Sequence, residues 1–242
     1  MGDSKKLKVT WICQGGFVFE ADGIRVVVDP YITDVLAARG LPRMQKVPLS
    51  VEQLKPDMVL FTHDHADHYD PASVEPLVKA YPHCVFAGPT STFEHFSKMG
   101  FDKRRFVTLD KGDAYAGPNM SIKAVAAYHS DKLAVGYLIS MGGREVYISG
   151  DTLFEKNLAA DVAKASGKPI DLVFICINGR LGNMRWAEAV NVAAALKPRI
   201  AAVPMHYGLF AANTEDPAPF KKSLTEKGVH VELFEAGQTK CF

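Results

Sequence analysis

The sequence predicts an α/β fold built as a four-layer αββα sandwich, with one domain spanning residues 1–242. Three observations carry that expectation. Short apolar runs alternate with segments of helical spacing along the chain. A pattern also repeats: Arg25-Val-Val-Val-Asp29 precedes Asp57-Met-Val-Leu-Phe-Thr-His63, and Glu145-Val-Tyr-Ile-Ser-Gly-Asp151 precedes Asp171-Leu-Val-Phe-Ile-Cys-Ile-Asn178. Each half offers a strand ending in Asp, a connection, and a strand ending in polar residues, as expected of two β-rich halves covered by helices. Third, ligand-type side chains recur just past the ends of apolar runs, which gathers functional groups at the sheet edges.

Taken in order, Lys8–Ile12 and Phe17–Glu20 read as two strands around Gln14-Gly15-Gly16. Asp22-Gly23 is a two-residue hairpin signal leading into the strand Ile24–Val28. Residues 31–50 carry Pro42 and Pro48 and are expected as a long loop, with a short turn of helix at Ser50–Leu54. Met58–Phe61 reads as a buried strand. A helix is expected from Asp70 to about Ala80, a strand over Cys84–Ala87, and a helix over Ser91–Met99 that stops at Gly100. Phe106–Leu109 and Ser121–Val125 are strand candidates, and Ala134–Ser140 with Glu145–Ser149 forms a hairpin around Gly142-Gly143. Leu158–Ala165 reads as helix, Leu172–Ile177 as buried strand, Trp186–Leu196 as helix and Ile200–Val203 as strand. A helix near Pro219–Lys227 and a final strand, His230–Phe234, complete the chain.

At 242 residues, one large α/β domain is the ordinary expectation. A formal net charge of +1 without a basic block argues against affinity built on coating nucleic-acid phosphates. It leaves room for a small phosphorylated substrate, which needs only a few local donors. Met1–Lys6 has no apolar h-region after it, so no signal peptide is expected, and no apolar run approaches the roughly 20 residues of a membrane span. The four cysteines, Cys13, Cys84, Cys176 and Cys241, form no CxxC pair, and three lie in or beside apolar runs. Buried free thiols in a cytoplasmic, reduced protein are the expectation. The expected partner is a small molecule, with no nucleic acid and no membrane; an oligomer is compatible with the reading.

The densest chemistry lies in Thr62-His63-Asp64-His65-Ala66-Asp67-His68, directly after Met58–Phe61. Three imidazoles and two carboxylates fall within six residues. Buried His and Asp require partners, and like groups side by side repel unless something binds between them. Metal ions are the economical occupant, since imidazole and carboxylate are their common ligands; the bland alternative is an exposed polar loop. His129 after Ala124–Ala127, Asp151 after Val146–Gly150, and His206 after Ile200–Met205 repeat the logic. Singly, each reads as a satisfied polar residue at a strand end. With the cluster they make seven candidate ligands: His63, His65, Asp67, His68, His129, Asp151 and His206.

In that order these residues resemble the metallo-β-lactamase superfamily of hydrolases, over the whole chain. The resemblance implies that fold, with His63, His65 and His129 binding a first metal, Asp67, His68 and His206 a second, and Asp151 bridging the two. Asp29, ending Val-Val-Val-Asp-Pro, matches the family's Asp that orients a ligating histidine; its alternative is a turn initiator before Pro30. Within the superfamily, Val28-Asp29-Pro30, Thr62–Asp70, Ser149-Gly150-Asp151-Thr152, Ile177-Asn178-Gly179-Arg180 and Pro204–Gly208 are most similar to the L-ascorbate-6-phosphate lactonase-like group. The lactonase itself is longer at both ends and differs around Tyr128-His129-Ser130.

The resemblance thus implies a hydrolase with two divalent metal ions. Zinc is the first expectation, and manganese, iron and nickel are compatible with nitrogen and oxygen donors lacking Cys. A metal-bound hydroxide would cleave an ester, lactone or phosphoester bond, with Asp67 or Asp151 as the catalytic proton acceptor. Asn178, Arg180 and Tyr207 are substrate candidates. Arg180 suits a phosphate or carboxylate bidentately and equally suits a solvated turn; Tyr128 and Asn183 are weaker neighbours. One rival is a phosphodiesterase of the same superfamily. A mononuclear-iron oxidoreductase on His63, His65, His129 and Asp151 would leave Asp67, His68 and His206 without a purpose. A non-catalytic metal module fits poorly, since structural zinc sites are closed by four protein ligands.

Overall fold

Apolar residues alternate with period two along the N-terminal strands, and the alternation divides them between two cores. In the strand Ile24–Val28, Val26 and Val28 join one cluster and Val27 the other; Met58 and Leu60 are separated from Val59 in the same way. Strands that are apolar on both faces belong to a sheet covered on both sides. The computed structural model, which describes residues 6–242, has that arrangement.

The first sheet is formed by β1 (Lys8–Trp11), β2 (Phe17–Ala21), β3 (Ile24–Val28), β4 (Met58–Leu60), β5 (Val85–Gly88), β6 (Phe106–Thr108) and β13 (Thr239–Cys241), in the order β13-β1-β2-β3-β4-β5-β6. The second comprises β7 (Ala114–Gly117), β8 (Met120–Ala126), β9 (Val135–Met141), β10 (Arg144–Ile148), β11 (Leu172–Cys176) and β12 (Ala201–Met205), in the order β12-β11-β10-β9-β8-β7. Helices α1 (Val51–Leu54), α2 (Pro71–Ala80) and α3 (Thr90–Lys98) cover the outer face of the first sheet over Val27, Val59, Phe61 and Phe86. Helices α4 (Leu158–Ser166), α5 (Trp186–Leu196) and α6 (Pro217–Glu226) cover the second, with α4 against β8 and α5 against β11. Between the sheets, the Phe174 ring meets Phe17 at 4.8 Å and Phe19 at 5.3 Å, both edge-on. Such pairs add about 0.5–1.5 kcal/mol each beyond the area they bury. The αββα layering expected from the sequence is present.

The parallel runs decide where the chemistry falls. β3 to β6 are parallel to one another, and so are β10 to β12. Residues just past the carboxyl ends of β3 and β4 (Asp29, His63) therefore share one edge, as do those past β10, β11 and β12 (Asp151, Asn178, His206). The two edges are tied together by backbone hydrogen bonds, from Val135 N to Thr62 O at 2.9 Å and from His206 N to Gln14 O at 3.0 Å.

Three expectations need correction. The final strand is not His230–Phe234, where Val231 makes a single bridge to Ala202; it is β13, which pairs with β1 after a turn at Gly237. Glu232 inside the expected strand instead accepts a hydrogen bond from His230 Nε2 at 2.7 Å and pairs with Lys240. Strand β7 is not expected from the sequence, because Ala-Tyr-Ala-Gly is weakly β-forming and lies half exposed at a sheet edge. Within the expected loop 31–50, Val35–Arg39 forms a turn of 3₁₀ helix ended by Gly40. Among the described residues no helix is long and apolar enough to cross a membrane. Of the N-terminal stretch read for a targeting signal, residues 1–5 lie outside the described residues.

Cys13, Cys84 and Cys176 are buried and Cys241 is exposed; burial pushes the Cys84 and Cys176 thiols up to about 12. The native protein should thus titrate one thiol with Ellman's reagent and four after denaturation. More than one fast thiol in the native state would contradict this packing.

Candidate metal centre

Each histidine of the motif is oriented from behind. Thr62 Oγ1 donates to Asp29 Oδ2 at 2.7 Å and so accepts from His63 Nδ1 at 2.9 Å, which leaves the lone pair on His63 Nε2. His68 Nδ1 donates to Asp29 Oδ2 at 2.7 Å, and Asp29 Oδ1 also accepts from Thr62 N at 2.8 Å. His129 Nδ1 donates to Gly182 O at 2.9 Å. His65 is turned the other way, with Nε2 3.2 Å from Ser130 Oγ and Nδ1 3.0 Å from His129 Nε2. Close approach of backbone makes this possible. A Cβ on Gly15 would lie 2.9 Å from His68 Cε1, and one on Gly182, at φ +91°, would lie 3.0 Å from His129 Nδ1.

The ring atoms facing inward converge. The ligand atoms of His63, His65 and His129 lie within 4.8 Å of one another, as do those of His63, His68 and Asp151, and those of Asp67, His68 and His206. His206 Nε2 is 3.2 Å from Asp151 Oδ2 and 3.4 Å from Asp67 Oδ2; His68 Nε2 is 3.4 Å from Asp151 Oδ1. His63 Nε2, His68 Nε2 and Asp151 Oδ1 are buried with no hydrogen-bond partner among the described residues. His129, with Nδ1 donating to Gly182 O, turns the lone pair on Nε2 inward, 3.0 Å from His65 Nδ1. Buried lone pairs aimed at a common point repel in the absence of a shared cation. The residues fit divalent metal ions.

The electrostatics agree. Burial opposes ionisation of Asp151 and Asp67, yet His206 and His68 beside them outweigh it and hold both carboxyls well below the usual range. Burial also disfavours a charged His206, but Asp151 and Asp67 raise it to about 9, and the same carboxylates with Asp29 hold His68 well above its ordinary value. Without metal, these two histidines carry the positive charge the carboxylates demand. His63 and His129 are driven the other way, by burial first, and stay neutral with lone pairs available.

All seven candidate ligands are therefore gathered at one place, with Asp29 behind them. The three substrate candidates are placed differently. Asn178 is buried and donates to Asn213 Oδ1 at 2.7 Å, the Tyr207 ring packs at a tilt of 31° against Trp11 with its hydroxyl 3.5 Å from Phe234 O, and of the three only Arg180 is exposed. Two residues stand closer to the centre than the sequence suggests. Asn183 Nδ2 donates to Asp151 Oδ2 at 2.6 Å, and Gln14 Nε2 donates to Asp67 Oδ2 at 2.7 Å. The signal for Gln14 is faint: one long polar side chain inside the wholly buried stretch Cys13–Phe19. A surface cavity of about 600 Å³ lies at the opposite ends of the second sheet's strands, lined by Glu145, Lys168, Asp171 and Arg199. Four of its charges pair with one another, Lys168 with Glu145 at 2.9 Å and Arg199 with Asp171 at 2.7 Å.

The sequence model of the beta-lactamase superfamily domain matches residues 8–206. The chain belongs to the metallo-β-lactamase superfamily. Within it, a UPF0173 metal-dependent hydrolase of Thermoplasma acidophilum is 30% identical over 96% of this chain and 96% of its own length. Another from Methanopyrus kandleri is 27% identical over 96% and 99%. The protein is a metal-dependent hydrolase of that family. Among solved structures, Igni18, a metallo hydrolase from Ignicoccus hospitalis, superposes with a TM-score of 0.79 at 23% identity, covering 98% of each chain. An isothiocyanate hydrolase from Delia radicum gut bacteria gives 0.78 at 20% identity, covering 97% and 99%. At those identities the likeness is one of metallo-β-lactamase fold.

Two outcomes are expected of this centre. Replacing Asp29 with Ala strands the Thr62 N–H and His68 Nδ1–H in a buried site, so metal affinity should fall by about 10–100-fold; an unchanged affinity by competition with a chelator would contradict the orienting role. Because metal-free His206 holds its proton up to about pH 9 and a ligating imidazole must be neutral, metal binding at pH 7 should expel protons and tighten as pH rises toward 9. Calorimetry in buffers of different ionisation enthalpy reads this directly, and a buffer-independent heat would contradict it.

Proposed function

We propose that residues 1–242 act as a single hydrolytic domain with two divalent metals, cleaving an ester, lactone or phosphoester bond in a small molecule. His63, His65 and His129 would hold one ion, Asp67, His68 and His206 the other, with Asp151 between them. The observation that carries this is the set of imidazoles and carboxylates converging from both sheets, with His63 Nε2, His68 Nε2 and Asp151 Oδ1 buried and without a hydrogen-bond partner among the described residues. Zinc is the first expectation, with manganese, iron and nickel compatible. A bound pair supplies Lewis acidity and a lowered pKa for water.

The chain's own groups divide the remaining work. Asp151 is fastened through Oδ2 by Asn183 and its side chain is 6% exposed, whereas that of Asp67 is 17% exposed. Asp67 is thus the carboxylate better placed to receive a proton and pass it to solvent, and Asp151 the better fixed bridge. Exposed Arg180 offers a guanidinium to an anionic substrate group, in keeping with the lactonase-like resemblance. Around the centre, Leu133 follows His129 by four residues, Leu153 and Phe154 follow Asp151, and Leu181, 71% exposed, precedes the Gly182 that holds His129. Exposed apolar side chains on the ligand-bearing loops favour a substrate with an apolar part. The mononuclear-iron alternative gives Asp67, His68 and His206 no task.

The test is a panel of esters, lactones, phosphodiesters and thioesters assayed with metal-loaded protein. Hydrolysis of at least one class is expected, with kcat/KM rising by up to about fourfold for each methylene that becomes buried. An Asp67→Asn variant that still binds metal should lose about 10²–10⁴-fold in kcat. No turnover across the panel with any of the four metals, or full turnover by the variant, would contradict the reading.

A further inference from the structure

Gln14 lies in the turn between β1 and β2, and its residue type alone announces no role. Its setting does. The residue is 1% exposed, and its backbone is held in the left-handed region at φ 55°. Its carbonyl accepts hydrogen bonds from Trp11 Nε1 at 3.1 Å and His206 N at 3.0 Å. The side chain is thereby aimed into the metal centre. One amide atom stands 2.7 Å from Asp67 Oδ2 and 3.1 Å from His206 Nε2, and those two atoms are 3.4 Å apart. The other amide atom, assigned as Oε1, is buried without a hydrogen-bond partner among the described residues.

Two edges of this triangle, 3.1 and 3.4 Å, have the spacing of donors that share an ion, since atoms about 2.1 Å from one centre lie roughly 3.0–3.4 Å apart, and the 2.7 Å edge is the hydrogen bond an ion would replace. With nitrogen inward, the amide donates to Asp67 and competes for the single lone pair His206 would give a metal. A half-turn about the soft terminal torsion exchanges the two amide atoms. It breaks no bond at Oε1, which has none, and replaces the N–H to Asp67 contact by a shared cation. We propose that Gln14 is itself a ligand of the second metal, through Oε1, beside Asp67, His68 and His206. The proposal rests on the two-metal reading above. It makes the second site richer in hard oxygen donors than the three-imidazole first site, so manganese is held there in preference to the first.

The test is titration of metal-free protein with Mn(II) and with Zn(II) by calorimetry, bound ions being counted by elemental analysis after gel filtration. Two ions per wild-type chain are expected. Gln14→Ala keeps the first affinity and weakens the second by about 10–100-fold. Gln14→Glu, which keeps an oxygen at that position, holds the second ion at least as tightly as wild type. An Ala variant with unchanged second-site affinity overturns the proposal. So does a weakening that Glu fails to restore, since Gln14 would then act only by donating to Asp67. Should the Ala variant lose its circular-dichroism signature of folding, the Glu variant decides alone: equal or tighter second-site binding supports the ligand role and weaker binding overturns it. A wild-type chain that binds one ion removes the two-metal reading, and the proposal with it; two ions with an indifferent Gln14→Ala removes the proposal only.

Discussion

The structure depends on one electrostatic constraint: lone pairs and carboxylates from both sheets point at the same buried volume. In a low-dielectric interior such a cluster is repulsive by itself, and each unsatisfied atom costs about 1–3 kcal/mol. In the metal-free state the chain relieves this by protonating His68 and His206. A divalent ion relieves it better, because it serves several donors at once. Most of the histidines around the centre are accordingly committed before any ion arrives: His63, His65, His68 and His129 each have the outer nitrogen already engaged.

Holding that arrangement requires unusual backbone. Non-glycine residues take left-handed φ at Cys13, Gln14, Asp29 and His206, all at or beside the centre. Such conformations cost of order 1–3 kcal/mol and persist only where surroundings over-determine them. Here the surroundings are specific: the Asp29 carboxylate accepts three hydrogen bonds while its backbone bonds Leu60 O and Tyr31 N, and Gln14 is pinned by Trp11 and His206. The aromatic contact of Phe174 with Phe17 and Phe19 keeps the two sheets in register beneath them. Neither sheet alone assembles the centre, so the complete site exists only where both halves are folded.

Much of this was legible in the sequence because it is local. The spacing His63-x-His65-x-Asp67-His68 after an apolar strand carries its chemistry within six residues, and the strand-end positions of His129, Asp151 and His206 follow from where apolar runs stop. The layering followed from the repeated pattern of a strand ending in Asp, a connection and a strand ending in polar residues, at Arg25–His63 and again at Glu145–Asn178. What was illegible depends on three-dimensional pairing. Gln14 looks like turn filler until β12 delivers His206 beside it. Tyr207 stands next to a ligand in sequence but turns its ring onto Trp11, because alternate residues past a strand end face opposite sides. The chain's last strand forms at Thr239–Cys241 because β1 is the neighbour with a free edge, a fact about the sheet and not about His230–Phe234.

The most direct measurement is anomalous X-ray diffraction from crystals of the metal-loaded protein, collected on both sides of the absorption edge of the supplied metal. Two anomalous peaks about 3.5–4 Å apart, one amid His63, His65 and His129 and the other amid Asp67, His68 and His206, are the predicted result. A single peak, or peaks away from these side chains, would contradict a two-metal centre at this place.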